Sequence, residues 1–270
     1  MKHTFFVVSL LFVLGCQAQE LFVFTEPASN MATKSFGMRL NNDFWENSGT
    51  ASVKYLLIPE IMYGVSKNLM VHASVFFSGE DNHFNMEGGG IYLKYRLYNN
   101  DDVQKHFRIA LFEKASLNNS GIQQEEINLN GFNSGFETGI IATQLLHKMA
   151  FSSGLSLVNA LNNEDKKLPL SPKSNTAFNY TLSAGKLVMP KMYKNYNQTN
   201  INLMFELLSQ FNPGLNKYFI DAAPSIQFIF KSQGRMDIGY RKQLLATLSR
   251  VSQSEIFIRL EYNLFNMKAH

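Results

Sequence analysis

From Ser35 to Phe265 the chain alternates apolar side chains with polar or small ones, in about twelve runs of roughly ten residues each closed by a polar turn. A strand sends successive side chains to opposite faces. In the last run, Ile258, Leu260, Tyr262 and Leu264 therefore share one face, and Arg259, Glu261 and Asn263 the other. One face suits lipid and the other water. Repeated around a ring, that unit makes a transmembrane β-barrel, which has no sheet edge and satisfies every backbone group.

The bulk numbers agree. The 270-residue chain is 45% hydrophobic, its mean hydropathy is −0.13, and no apolar stretch after the leader approaches the roughly 20 residues of a spanning helix. A barrel strand is only about half apolar, so a helix-tuned hydropathy scan passes over it. The 25 basic and 21 acidic residues are interspersed, with no basic block of the kind that binds nucleic acid. Twenty-three Phe and eleven Tyr suit rings set against acyl chains and headgroups.

Residues 1–18 read as a secretory signal: Lys2 and His3, an apolar run from Phe5 to Leu14, then Gly15-Cys16-Gln17-Ala18. Two processing routes stay open. Cleavage after Ala18 uses the small residues at Cys16 and Ala18, whereas Val13-Leu14-Gly15-Cys16 resembles a lipobox that would leave Cys16 acylated. Cys16 is the sole cysteine, so a disulfide-stapled fold is excluded. The expected organisation is a signal peptide at 1–18, a periplasmic segment at 19–34 that could serve as an arm, a short plug or a disordered leader, a barrel at 35–265 and a tail at 266–270.

Strands are expected near 35–44, 52–63, 68–78, 86–98, 106–116, 135–146, 149–160, 176–188, 200–209, 217–230, 235–246 and 254–265, an all-β, up-and-down antiparallel barrel. Connections alternate between short turns such as Gly64-Val65-Ser66-Lys67 and long polar loops at 117–134, 161–175 and 210–216. Short turns belong in the periplasm and long loops outside. The long connection at 189–199 is the exception. Pro59 and Pro224 each delete a ladder donor and are expected at bulges or strand ends.

Alternation assigns Leu69, Val71, Ile91, Leu93, Leu111, Leu203 and Phe205 to lipid. The lumen-lining candidates are Arg39, Glu60, His72, Lys94, Arg96, Arg108, Glu137, Glu206, Asp221, Asp237, Arg241, Arg259 and Glu261. Acids and bases are mixed, and pairs such as Lys94 with Glu60, or Arg259 with Asp237, are expected to form a lattice across the bore. A Lys or Arg facing mid-bilayer would cost about 2–4 kcal/mol, which is why the charges segregate to one face.

Several segments resemble the transporter-like outer-membrane proteins of the phenol meta-pathway family. They are Ile58-Pro59-Glu60-Ile61-Met62-Tyr63-Gly64-Val65-Ser66-Lys67-Asn68-Leu69, Gly90-Ile91-Tyr92-Leu93-Lys94-Tyr95-Arg96-Leu97, Ala223-Pro224-Ser225-Ile226-Gln227-Phe228 and Met236-Asp237-Ile238-Gly239-Tyr240-Arg241. Gln17-Ala18-Gln19-Glu20 after the signal resembles exported proteins of Bacteroidetes-type bacteria. The resemblance implies an outer-membrane barrel of about twelve strands that moves small molecules. It departs from that family in its shortness and in the Lys242-Gln243-Leu244-Leu245 segment.

The function expected is passage or uptake of a small solute across the outer membrane of a Gram-negative bacterium. Outer-membrane lipid and the solute are the expected partners, with no nucleic acid, no cofactor and no enzymatic activity. A structural or surface-exposed interaction barrel is the alternative. Two further readings rest on less. His72 and Ser74 share a strand face, as a hydrolase would need. Met62, Met70 and Met204 face inward as soft copper ligands would, with His83, His106, His147 and His270 elsewhere, but no cluster has ligand spacing. The Asn-x-Ser/Thr triplets at Asn118, Asn179 and Asn197 read as polar loop and strand residues.

Overall fold

The computed structural model describes residues 22–46, 53–80, 83–102, 105–121, 124–163, 175–192 and 197–265. The signal segment with Cys16, and the tail with His270, lie outside the described residues. The strands are β1 Phe36–Glu46, β2 Val53–Gly64, β3 Leu69–Glu80, β4 His83–Asp102, β5 Lys105–Asn118 and β6 Ser134–Leu146, then β7 Met149–Leu161, β8 Thr176–Met189, β9 Asn200–Asn212, β10 Lys217–Phe230, β11 Gly234–Ala246 and β12 Ser254–Leu264. Each is antiparallel to its sequence neighbours. β1 closes onto β12, from Phe36 opposite Leu264 to Trp45 opposite Glu255, completing a twelve-stranded barrel.

The alternation fixes which side chains point in. Along β12, Phe257, Arg259, Glu261 and Asn263 are buried in the bore while Ile256, Leu260 and Tyr262 are exposed. Ile91, Leu93, Tyr95, Leu111, Leu203 and Phe205 stand on the outer surface as expected. That outer surface is an apolar belt of a kind hydrocarbon accommodates. Glu113 breaks the belt: it faces outward between inward Phe112 and Lys114, and Thr138 on β6 donates to its carboxylate at 2.5 Å.

Two expectations are corrected. Pro59 and Pro224 lie neither at bulges nor at strand ends. The β2–β3 ladder steps from Leu57 opposite Phe77 to Glu60 opposite Ser74 without a register change, and β10–β11 steps from Ala222 opposite Lys242 to Ser225 opposite Gly239 in the same way. Each proline pairs normally on its other side, with Leu40 and Phe205 respectively, so the missing donor falls in the skipped ladder alone. The connection expected at 210–216 shrinks to 213–216, because β9 keeps its inward Gln210 and Asn212 in pairing as far as Asn212.

One end of the barrel carries the turns at 65–68, 147–148 and 231–233, and is called the turn end. The opposite, loop end carries 124–133, 213–216 and 247–253.

The apolar core is not a single body, because a barrel spends most of its apolar side chains outward. Inside, buried apolar clusters form where inserted chain meets the wall. Phe22 and Val23 pack on Met204 and Phe257, and Ala28 on Ala110 and Ile141. At the loop end Ile127 and Leu129 pack on Val158, Ala160 and Ala177, while Phe132 joins Trp45, Leu56, Ile58 and Phe76.

Candidate functional site: a chamber between two inserted segments

Residues 22–34 run across the bore at the turn end. The carboxylate of Glu206 accepts the backbone N–H groups of Val23, Phe24 and Thr25 at 2.9, 2.9 and 3.0 Å, and the Thr25 hydroxyl at 2.7 Å. Arg235 donates to the Phe22 carbonyl at 2.6 Å, and Lys94 to the Pro27 carbonyl at 2.7 Å. Ala28 N–H donates to Thr143 at 2.9 Å, and Arg108 to the Ser29 hydroxyl at 2.8 Å. The segment then meets the wall at Gly64, whose N–H donates to the Ser35 carbonyl and whose carbonyl accepts from Lys34. Gly64 has no room for a side chain, since a Cβ there would strike the Ala32 carbonyl. An irregular strand of backbone inside a bore must find partners for its N–H and C=O groups. Here the wall supplies them from inward Glu, Arg, Lys and Thr.

A charge network braces the same end. Arg39 reaches Glu26 at 2.6 Å, Glu261 at 2.9 Å and Glu60 at 3.4 Å. Arg235 reaches Asp237 at 2.6 Å and Glu261 at 3.4 Å, and Arg259 reaches Asp237 at 3.7 Å. The expected Arg259–Asp237 pair is present. Lys94 turns instead to Glu26, at 3.6 Å, and to Pro27, because the inserted segment occupies the space between it and Glu60. Burial disfavours the Glu26 carboxylate, but Arg39 and Lys94 outweigh it and hold the group well below the usual carboxylate range.

The loop end has its own insert, residues 124–133. Gln210 on β9 holds it as a ladder would, accepting from Ile127 N–H and donating to Ile127 C=O, both at 2.8 Å. Glu126 lies between Arg241, at 3.1 Å, and Arg250, at 2.6 Å, and both arginines also grip Asp221, at 2.6 and 2.8 Å. The two guanidinium groups stand over the Phe219 ring at 5.4 and 4.0 Å. Burial raises the Glu126 carboxyl, yet Arg250 and Arg241 bring it below its ordinary value overall. Asn163 ties the base of the insert, donating to the carbonyls of Ser120 and Phe132.

Between the inserts lies a cavity of about 370 Å³, floored by residues 23–26, roofed by residues from 124 to 132 and walled by inward side chains of the strands. Of the lumen candidates, Arg39, Glu60, His72, Glu137, Arg241 and Arg259 line it. Glu206 and Lys94 are buried against the N-terminal segment, Asp237 and Glu261 are buried on Arg235, which holds the Phe22 carbonyl, and Asp221 stands behind Arg241. Arg96 and Arg108 sit apart at the turn-end rim, Arg96 donating to the Lys67 carbonyl and Arg108 pairing with Asp101 at 3.0 Å. Glu26, Asp43, Glu126, Arg235, Arg250 and Glu255 belong to the same interior and were not singled out from the sequence. Three of them lie on the inserts or the 247–253 loop, where no alternation marks facing.

His72 gives its Nδ1 to Glu60, the third group a hydrolase would require, but Ser74 donates to the Gly90 carbonyl at 3.3 Å rather than to His72. Met62, Met70 and Met204 do face inward and are buried. They pack as apolar filler, Met70 with its sulfur accepting from Met31 N–H and Met204 in the Phe22–Val23 cluster.

No protein-family model and no curated protein sequence matches the chain. Among solved structures, it is similar to the COG4313 outer membrane channel from Pseudomonas putida F1, with a TM-score of 0.60 at 9% identity over 89% of this chain and 100% of that one. The NanC porin aligns at a TM-score of 0.49 and 11% identity, over 85% of this chain and 100% of the porin. In fold, the chain is an outer-membrane-type β-barrel.

Proposed function

We propose that the protein sits in the outer membrane of a Gram-negative bacterium, turn end toward the periplasm, and passes a small solute through a bore closed by two removable segments. The observation that carries this is the chamber of about 370 Å³ held between the Glu206-clasped segment and the Arg241/Arg250-clasped insert. Its volume falls within the roughly 300–1,000 Å³ of small-molecule sites. Polar closures that end on side chains, rather than on paired strands, can leave without breaking the barrel ladder. The role is passage rather than catalysis, since Ser74 and His72 are each engaged with other groups. Membership of the phenol meta-pathway family is part of the proposal and rests on the four sequence segments quoted above.

Planar-bilayer recording tests it. The wild-type barrel should show low or flickering current, and Glu206→Ala together with Arg250→Ala should raise it several-fold. Silence from wild type and double variant alike, with folding verified by heat-modifiable migration, would favour a purely structural barrel.

A further inference from the structure

The geometry points to a binding site for a small organic cation, a protonated amine on an apolar body, at the loop end of the chamber between Asp43, Glu255 and Trp45. This rests on the passage reading to the extent that solutes reach the chamber. Charge balance is the first ground. At the turn end Arg39, Lys94, Arg235 and Arg259 face Glu26, Glu60, Asp237 and Glu261, four against four, while Glu206 is met by the N–H groups of Val23, Phe24 and Thr25. On the far wall Lys114 stands directly across the ladder from Glu137. At the loop end Arg241 and Arg250 are taken up by Asp221 and Glu126. Glu255 is left with a 3.7 Å approach from Arg241, and Asp43 has no ion pair within 4 Å among the described residues, Arg259 and Arg241 acting on it only from farther off. Lys54, across from Trp45 on β2, has a partner of its own.

Placement is the second ground. Trp45 lies opposite Glu255 in the β1–β12 ladder and Asp43 opposite Phe257, so the two carboxylates are diagonal neighbours on the lumen face. Asp43 Oδ1 is buried with no hydrogen-bond partner among the described residues. The Trp45 indole N–H is also without one, on a side chain only 5% exposed that lines the same chamber. A buried carboxylate and a buried donor left open together ask for a ligand with a positive group and an acceptor.

The neighbouring wall selects the rest of it. Leu56, Ile58 and Phe132 cluster with Trp45 beside the acids, giving an apolar seat for a hydrocarbon body. A metal ion finds no group of three or more His, Cys, Asp or Glu side chains among the described residues. The chemistry therefore fits an amino alcohol better than a bare cation.

Trp45 is the only tryptophan, so its emission reports on this site alone. The purified full-length barrel should be titrated with 2-amino-1-phenylethanol, with neutral 1-phenylethanol, with mandelate and with calcium chloride. The expected result is a saturable change with the amine only, weakened about tenfold or more in Asp43→Asn and Glu255→Gln, as befits a lost charge-assisted hydrogen bond. The same change with the neutral alcohol or calcium would overturn the site, as would wild-type affinity in both variants. Silence with the amine in wild type and in Arg250→Gln, whose insert is loosened, would overturn it too. Bilayer current without an amine signal sinks this site alone, whereas an amine signal with no current from any variant sinks the passage reading and leaves the site standing.

Discussion

Glu206 and Thr25, far apart in sequence, meet twice: the carboxylate accepts the Thr25 backbone N–H at 3.0 Å and its hydroxyl at 2.7 Å. With Val23 and Phe24 also donating, one fully buried side chain satisfies three consecutive N–H groups. Removing it strands those donors, at about 1–3 kcal/mol for each one left unpaired. Glu206→Ala should therefore speed hydrogen exchange at Val23, Phe24 and Thr25 by an order of magnitude or more. Glu206→Gln, which keeps one acceptor oxygen, should fall between. Unchanged protection in Glu206→Ala would mean that the apolar contacts of Phe22 and Val23 hold the segment unaided.

Phe24 occupies space that β11 leaves open by having a glycine. A Cβ built on Gly239 would lie 2.7 Å from the Phe24 ring, closer than carbon atoms tolerate. Gly239→Ala should push the ring aside at about 1–3 kcal/mol, the usual cost of overpacking, and raise bilayer current. Adding Phe24→Ala removes the clash, so the double variant should regain barrel thermal stability while its current stays raised. If stability does not return, the Gly239 effect lies in the strand and not at the segment.

Strand count and side-chain facing were legible from the alternating pattern because most strands keep it along nearly their whole length, with breaks at bulges such as those in β4. Strand ends agree within a few residues, and β4, which runs past Tyr98 to Asp102, departs most. A short plug is one of three readings of 19–34, but the path of the inserts was not legible. Residues 22–34 and 124–133 have no period, and many of their partners come from strands far along the chain, 183 residues from Val23 to Glu206 and 83 from Ile127 to Gln210. One signal was present: inward Ala110, Ala160, Ala177, Gly185 and Gly239 are small and apolar where a water-filled bore would be polar. Small inward residues leave a groove that only added chain fills. The Lys94 pairing failed for the same reason, because Glu26 arrives on a segment whose path the pattern did not fix.

Acid should loosen both closures. The folded Glu126 and Glu26 carboxyls titrate below an unfolded value of about 4.3, so their contribution is full above that pH and is lost as pH falls through the depressed folded value. Conductance should stay low and flat from about pH 7 down to pH 5, then rise as the pH drops through about 4 and below. Glu126→Gln should raise conductance at neutral pH and flatten the acid response. A wild-type transition centred near pH 6 would assign control to other groups.

The outer belt makes a separate prediction. Leu260 projects outward midway along β12, 47% exposed. Leu260→Arg places a cation against hydrocarbon and should cost about 2–4 kcal/mol, seen as a lower unfolding midpoint in lipid vesicles. Glu113 already stands on that face with Thr138 as its hydrogen-bond donor. Carboxylates are penalised there less than Lys or Arg, and Glu113→Leu should be neutral or stabilising. A clear loss of stability in Glu113→Leu would instead give the Glu113–Thr138 pair a supporting role between β5 and β6 that outweighs its exposure to lipid.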